Sequence, residues 1–218
     1  MKVVEIFKSI EGEGVRTGLP VTFVRLYGCN LRCEYCDTKY SYDEKDLCAY
    51  TIHTVEEIVE TVMQLGCPNV TITGGEPMIH PGIERLLDAL LLVGCEVNVE
   101  TNGTRLVPYK YRDNTSIIFT MDYKCPSSGM NDKMEAFTFN TLRDWDVLKF
   151  VVSNDEDLDK MVEVLETIET KPAVFVSPVF GKIEPETIVN YLLIHHLHNV
   201  RVQVQLHKII WDPEKRGV

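Results

Sequence analysis

Cys29, Cys33 and Cys36 fall within eight residues as C-x-x-x-C-x-x-C, directly after the apolar run 21–27. Three thiolates at this spacing can hold three irons of a cubane iron–sulfur cluster. The fourth iron is then left without a protein ligand. An open iron can bind a small molecule and pass it an electron.

Zinc is the competing reading. Structural zinc sites are usually closed by four ligands, often as two spaced Cys/His pairs. Here the next cysteine is Cys48, Cys67, Cys95 and Cys125 are scattered singly, and no second C-x-x-C or H-x-x-x-H exists. These four cysteines suit packing as small hydrophobes. A disulfide framework fits worse: the count of seven is odd, and a 218-residue chain needs no such staples. Met1 to Glu5 lacks the apolar core of a signal peptide. The segment Gly28 to Thr38 therefore points first to radical chemistry on S-adenosylmethionine.

The rest of the chain must position that loop. With 218 residues it can bury a good core, and a single domain over 1–218 is expected, since no linker, repeat or low-complexity stretch divides it. No run reaches the ~18 apolar residues of a membrane span. The net charge of -11 argues against a nucleic-acid duplex as main partner. A cytoplasmic enzyme is expected.

Strand and helix patterns alternate. Strands are predicted at 3–7, 21–27, 69–73, 95–100, 117–122, 147–152, 173–177 and 200–206. Thr54-Val55-Glu56-Glu57 is a capping box opening a helix that Gly66 ends. Pro81 is read as starting a helix that Gly94 stops, and further helices fill 155–168 and 185–197. Repeated β-α units imply a parallel sheet with helices outside, doubly wound or rolled into an incomplete barrel. Several strands carry one polar face: Asn98 and Glu100, Thr120 and Asp122, Lys149 and Ser153, Gln203, Gln205 and His207. A wet face explains any one of them. Several together favour a lined cavity, with ligands at the C-terminal strand ends.

Thr73-Gly74-Gly75-Glu76-Pro77 follows a strand. A plain turn would explain it alone. Beside the cysteine loop, two glycines let the main chain approach a ligand, and the Glu76 carboxylate can meet an ammonium group such as that of methionine. These two motifs and the order of β-α units resemble the radical SAM superfamily. The resemblance implies a partial (β/α)6 barrel that binds a 4Fe-4S cluster through Cys29, Cys33 and Cys36 and holds S-adenosylmethionine. Tyr35 would pack near the adenine, and Gly74, Gly75 and Glu76 would meet the methionyl end; Glu100 is expected at the ribose by its position alone.

Further features are similar to one member family, the 7-carboxy-7-deazaguanine synthases of queuosine and deazapurine biosynthesis: Glu5-Ile6-Phe7, Glu11-Gly12-Glu13-Gly14, Phe23-Val24-Arg25-Leu26, Cys36-Asp37-Thr38, Asp122 to Gly129, Gln205 to Lys208 and Arg216-Gly217-Val218. That pattern often has Gln where Glu11 stands, a departure that bears on the side chain and not on the backbone of Glu11-Gly12. The likeness implies a lyase that contracts 6-carboxy-5,6,7,8-tetrahydropterin to 7-carboxy-7-deazaguanine. A 5′-deoxyadenosyl radical takes a hydrogen, ammonia leaves, and S-adenosylmethionine is regenerated. It also implies Mg2+ at Thr38, whose alternative is a cap on the loop, and Asp37 beside the cofactor. A homodimer and a flavodoxin or ferredoxin reductant are expected.

Side-chain chemistry suggests the remaining contacts. Arg25 can clamp a carboxylate bidentately, or form a surface ion pair. Glu13 can accept from the pterin amine and ring nitrogen, and Thr73 can donate from its strand end. Gln205 and His207 close the last strand, Asp122 and Lys124 meet adenosine or substrate, and Val218 approaches the substrate by the family likeness. His195, His196 and His198 read as solvated or structural. The other enzyme reading is a glycyl-radical-enzyme activase, which needs no pterin pocket.

Overall fold

The computed structural model describes residues 1–43 and 49–218, so Cys48 lies outside the described residues. Lys2–Ile10 (β1) pairs antiparallel with Pro20–Leu26 (β2), and Thr51–Ile52 (β3) adds antiparallel to β1. From β2 on, every neighbour is parallel: Asn69–Gly74 (β4), Glu96–Thr101 (β5), Ile117–Tyr123 (β6), Val147–Val152 (β7), Ala173–Pro178 (β8) and Val200–Val202 (β9). The nine-stranded order is β3-β1-β2-β4-β5-β6-β7-β8-β9. Thus β2 and β4 to β8 supply the six parallel strands of the expected partial barrel, and β9 is a short addition.

The helices are Val55–Leu65 (α1), Ile83–Leu92 (α2), Ala136–Phe139 (α3), Asp155–Thr167 (α4), Pro185–Ile194 (α5) and Leu206–Ile210 (α6). The capping box forms as expected: Glu57 N–H donates to Thr54 Oγ1 (3.2 Å), and Thr54 N–H donates to Glu57 Oε2 (2.8 Å). Ile58, Leu86, Leu87, Leu90, Leu158, Met161 and Ile188 are buried on the helix faces. They meet Val97, Val99, Phe119, Met121, Leu148, Phe150 and Val152 of the strands in one core. The period-two pattern of β5, β6 and β7 therefore does separate a helix-packed face from a polar one.

Three expectations need correction. The opening strand runs to Ile10 and is antiparallel, because β1 and β2 form a ladder from Val3–Leu26 to Ile10–Pro20. Pro81 does not begin a helix: Gly82 is the N-cap at φ +87, a conformation that favours glycine. The last strand stops at Val202 rather than running to Leu206. Its ladder ends when Gln203 N–H donates to Val176 O (2.9 Å), and Leu206 N–H then turns to Gly12 O (3.2 Å). Gln205 and His207 thus belong to the start of α6, not to a strand.

Candidate active site

The C-terminal strand ends and the loop between β1 and β2 enclose a cavity of about 370 Å³, within the range of small-ligand sites. Cys29, Cys33, Tyr35, Cys36, Asp37 and Thr38 line it beside Gly74, Gly75, Glu100, Asp122 and Lys124. Glu11, Gly12, Glu13, Arg25, Thr73, Gln205, His207 and Val218 line it as well. One of the expected residues is not brought there. Glu76 is fully buried, and its carboxylate accepts from Thr101 Oγ1 (2.7 Å), Asn102 N–H (2.6 Å) and Met78 N–H (2.8 Å). It fastens the glycine loop to the end of β5 instead of facing the cavity.

The glycines serve a related purpose. A Cβ on Gly74 would run into the Leu26 backbone, and one on Gly75 into the Gly28 carbonyl. Gly74, at φ +139, therefore lets β4 lie close to the strand that leads into the cysteine loop. Gly75 N–H then donates to Leu26 O (3.1 Å), and Glu76 N–H to Gly28 O (2.8 Å). The two sequence motifs are joined by main chain.

The three thiols are free. Leu31 N–H (3.4 Å) and Asn102 Nδ2 (3.8 Å) approach Cys29 Sγ, while Cys36 Sγ lies 3.7 Å from Thr38 Oγ1. Burial pushes the Cys29 and Cys33 thiols up. Three soft donors outside any disulfide, on one short loop at a cavity wall, have the chemistry of iron–sulfur cluster ligands. Glu34 N–H donates to Ser128 O (3.0 Å), tying the loop to the segment after β6. Asp157 steadies that segment in turn: it accepts from Ser127 N–H (2.9 Å), Ser127 Oγ and Ser153 N–H (2.7 Å).

The polar strand residues meet across the cavity floor. Thr73 Oγ1 gives its proton to Glu100 (2.7 Å), so toward a ligand it offers lone pairs rather than the donor expected. Arg25 lines the cavity, and its Nε pairs with Glu5 Oε1 at 2.8 Å. Lys124 pairs with Asp122 (2.9 Å). Burial opposes its charge, but Asp122, Tyr35 and Cys33 hold the ammonium well above the usual lysine range. Gly12 allows His207 to sit against it, where a Cβ would strike the imidazole. Burial holds that imidazole below its ordinary value. Asp37 pairs with Lys208 (3.1 Å). Sequence reasoning did not assign Tyr40, Asn102, Lys149 or Lys208 to the site. Lys149 had a signal, since it stood on a polar strand face already read as favouring a lined cavity.

Glu11 is 2% exposed and accepts from Thr71 Oγ1 (2.6 Å) and Gly12 N–H (3.2 Å). Burial first, then the Glu100 and Glu13 carboxylates, push its carboxyl up to about 8. In the unfolded chain it would titrate near an ordinary glutamate. The folded state thus holds the extra proton between those values, and stability is lost as pH rises from about 4.5 to about 8. Glu11→Gln is expected to remove a loss on the order of a few kcal/mol. Melting curves of the two proteins across this pH range should diverge upward for the variant; parallel curves would refute the assignment.

Residues 23–118 match the radical SAM superfamily. A 7-carboxy-7-deazaguanine synthase from Clostridium acetobutylicum is 45% identical over 220 residues, covering all of this chain and 99% of its own. The synthase of the same name from Methanospirillum hungatei is 39% identical, over 98% of this chain and 86% of its own. In fold, QueE from Escherichia coli superposes with a TM-score of 0.75 over 94% of each chain at 24% identity. Streptococcus suis SuiB, crystallised with S-adenosylmethionine, superposes with a TM-score of 0.57 at 14% identity, over 84% of this chain and 46% of its own. Full-length identity of this order places the chain in the 7-carboxy-7-deazaguanine synthase family of radical SAM enzymes.

Proposed function

We propose that this enzyme converts 6-carboxy-5,6,7,8-tetrahydropterin to 7-carboxy-7-deazaguanine with loss of ammonia. The reading rests on one cavity that joins the three-cysteine loop to a polar set suited to a carboxylated, flat heterocycle. Cys29, Cys33 and Cys36 would hold a 4Fe-4S cluster, and Thr38 would offer a hard oxygen to Mg2+. Cluster and S-adenosylmethionine together supply a radical able to take a hydrogen atom from the substrate. The chain's own residues orient and shield. Gly74, Gly75 and Tyr35 shape the cofactor side, with Asp37, Glu100, Asp122 and Lys124 around it. Arg25 faces the substrate carboxylate, and Glu13 accepts from the amino-pyrimidinone edge. Glu11, Gly12, Thr73, Gln205, His207 and Val218 complete the wall.

Glu13 supports this most directly. Its Oε1 is buried without a hydrogen-bond partner, a costly arrangement that a donor-bearing ligand relieves. Sequence resemblance supports a homodimer, a cytoplasmic setting and a flavodoxin or ferredoxin reductant. The test is anaerobic reconstitution with iron, sulfide, S-adenosylmethionine, Mg2+, reductant and the pterin. Appearance of the 7-carboxy-7-deazaguanine mass is expected. Formation of 5′-deoxyadenosine without that product would reject the substrate and favour a glycyl-radical-enzyme activase.

A further inference from the structure

Lys149 stands on β7 with its side chain 8% exposed. Its Nζ lies 3.2 Å from Glu13 Oε2 and 3.3 Å from Asp122 Oδ1. Asp122 passes its other oxygen to Lys124 (2.9 Å), and Gln205 Nε2 reaches Glu13 Oε2 at 3.4 Å. The result is one polar line across the cavity floor, from α6 to the end of β6. Glu13 sits on a loop between β1 and β2, where nothing regular fixes its rotamer. Both cavity-side contacts of Glu13 fall on Oε2, which leaves Oε1 buried and unpartnered. A buried ammonium with two carboxylates is costly to assemble, and breaking it by removing one member leaves uncompensated charge.

We propose that Lys149 is a positioning residue: it holds Glu13 by one oxygen so that the other is aimed at an N–H-rich heterocycle edge. This rests on the substrate reading above and adds the group that sets its selectivity. A site built to satisfy a donor edge rejects ligands lacking it, because its own polar atoms are then left unpaired. Asp122 keeps Lys124 when Lys149 is removed, so the cofactor side should be spared.

The test measures equilibrium binding of 6-carboxypterin and of S-adenosylmethionine to the reconstituted enzyme, with melting temperatures alongside. Lys149→Met is expected to weaken the pterin at least tenfold and S-adenosylmethionine less than threefold. Lys149→Arg, which keeps the charge, should recover most of the pterin affinity. In a Glu13→Gln background, Lys149→Met should cost little more, since the two act as one unit. Equal weakening of both ligands, no rescue by Arg, or additive losses would overturn the proposal. Failure of the unaltered enzyme to bind the pterin would instead sink the substrate reading, and this inference with it.

Discussion

Cys33→Ala is expected to give a folded protein with no turnover. The side chain is half-buried at the cavity wall, and the loop around it is held by main chain: Cys36 N–H on Cys33 O (3.3 Å) and Glu34 N–H on Ser128 O (3.0 Å). Neither bond involves the thiol, so its loss should cost no more than about 1 kcal/mol, a few degrees of melting temperature. Chemistry is another matter. Two remaining thiols cannot hold three irons, and no other cysteine lines the cavity among the described residues. Iron content after reconstitution, 5′-deoxyadenosine and product should all fall to background together. A variant that turned over like the parent would mean that these thiols are not the ligands.

Arg143→Ala should produce the largest loss of stability, although Arg143 does not line the cavity. Its Nε and Nη2 meet Asp146 at 2.7 and 2.6 Å, Nη1 donates to Tyr111 O and to Asn114 O (3.1 Å), and Nη2 donates to Ile117 O (2.8 Å). Asp146, completely buried, also accepts from Phe119 N–H at 2.8 Å. One ion pair therefore closes the entry to β6, which carries Asp122 at its far end. Removing the guanidinium strands a buried carboxylate and several carbonyls, at about 3–5 kcal/mol. For a chain of this size that is roughly 10 °C of melting temperature. Arg143→Lys keeps a charge without the planar fork and should recover part of the loss. A fall of only a degree or two in the alanine variant would show that the network is replaceable by water.

How far the sequence could be read depended on whether a residue's partner is local. The capping box at Thr54 and Glu57 needs four adjacent residues, and it forms as written. The polar faces of β5, β6 and β7 follow from period two, and Glu100, Asp122 and Lys149 on them do line the cavity, while Asn98 and Thr120 bond each other and Ser153 bonds Ser127. The cysteine loop and the glycine loop were visible because their spacing is itself the signal. Glu76 was misplaced because its three donors come from the turn after it and from the end of β5, some 25 residues away. Lys149 was seen on the right face, but its role depends on Glu13, which is 136 residues distant in the chain. The end of β9 was overrun because alternation continues to His207, while the backbone turns to bond Gly12. Arg143 has no periodic signature, since its partners are the Asp146 carboxylate and the carbonyls of Tyr111, Asn114 and Ile117, scattered over the approach to β6.

The main-chain seam between Gly75 and Leu26, and between Glu76 and Gly28, anchors the base of the thiol loop without drawing on any thiol. Its base at Gly28 is held by a peptide group of the glycine loop and its middle at Glu34 by Ser128 O, bonds that use no thiol. A molecule stripped of metal by air should then keep its thiols in place, as an empty socket rather than a collapsed strand. Damage of that kind is repairable: restoring the enzyme would require delivery of iron and sulfide, not resynthesis of the polypeptide.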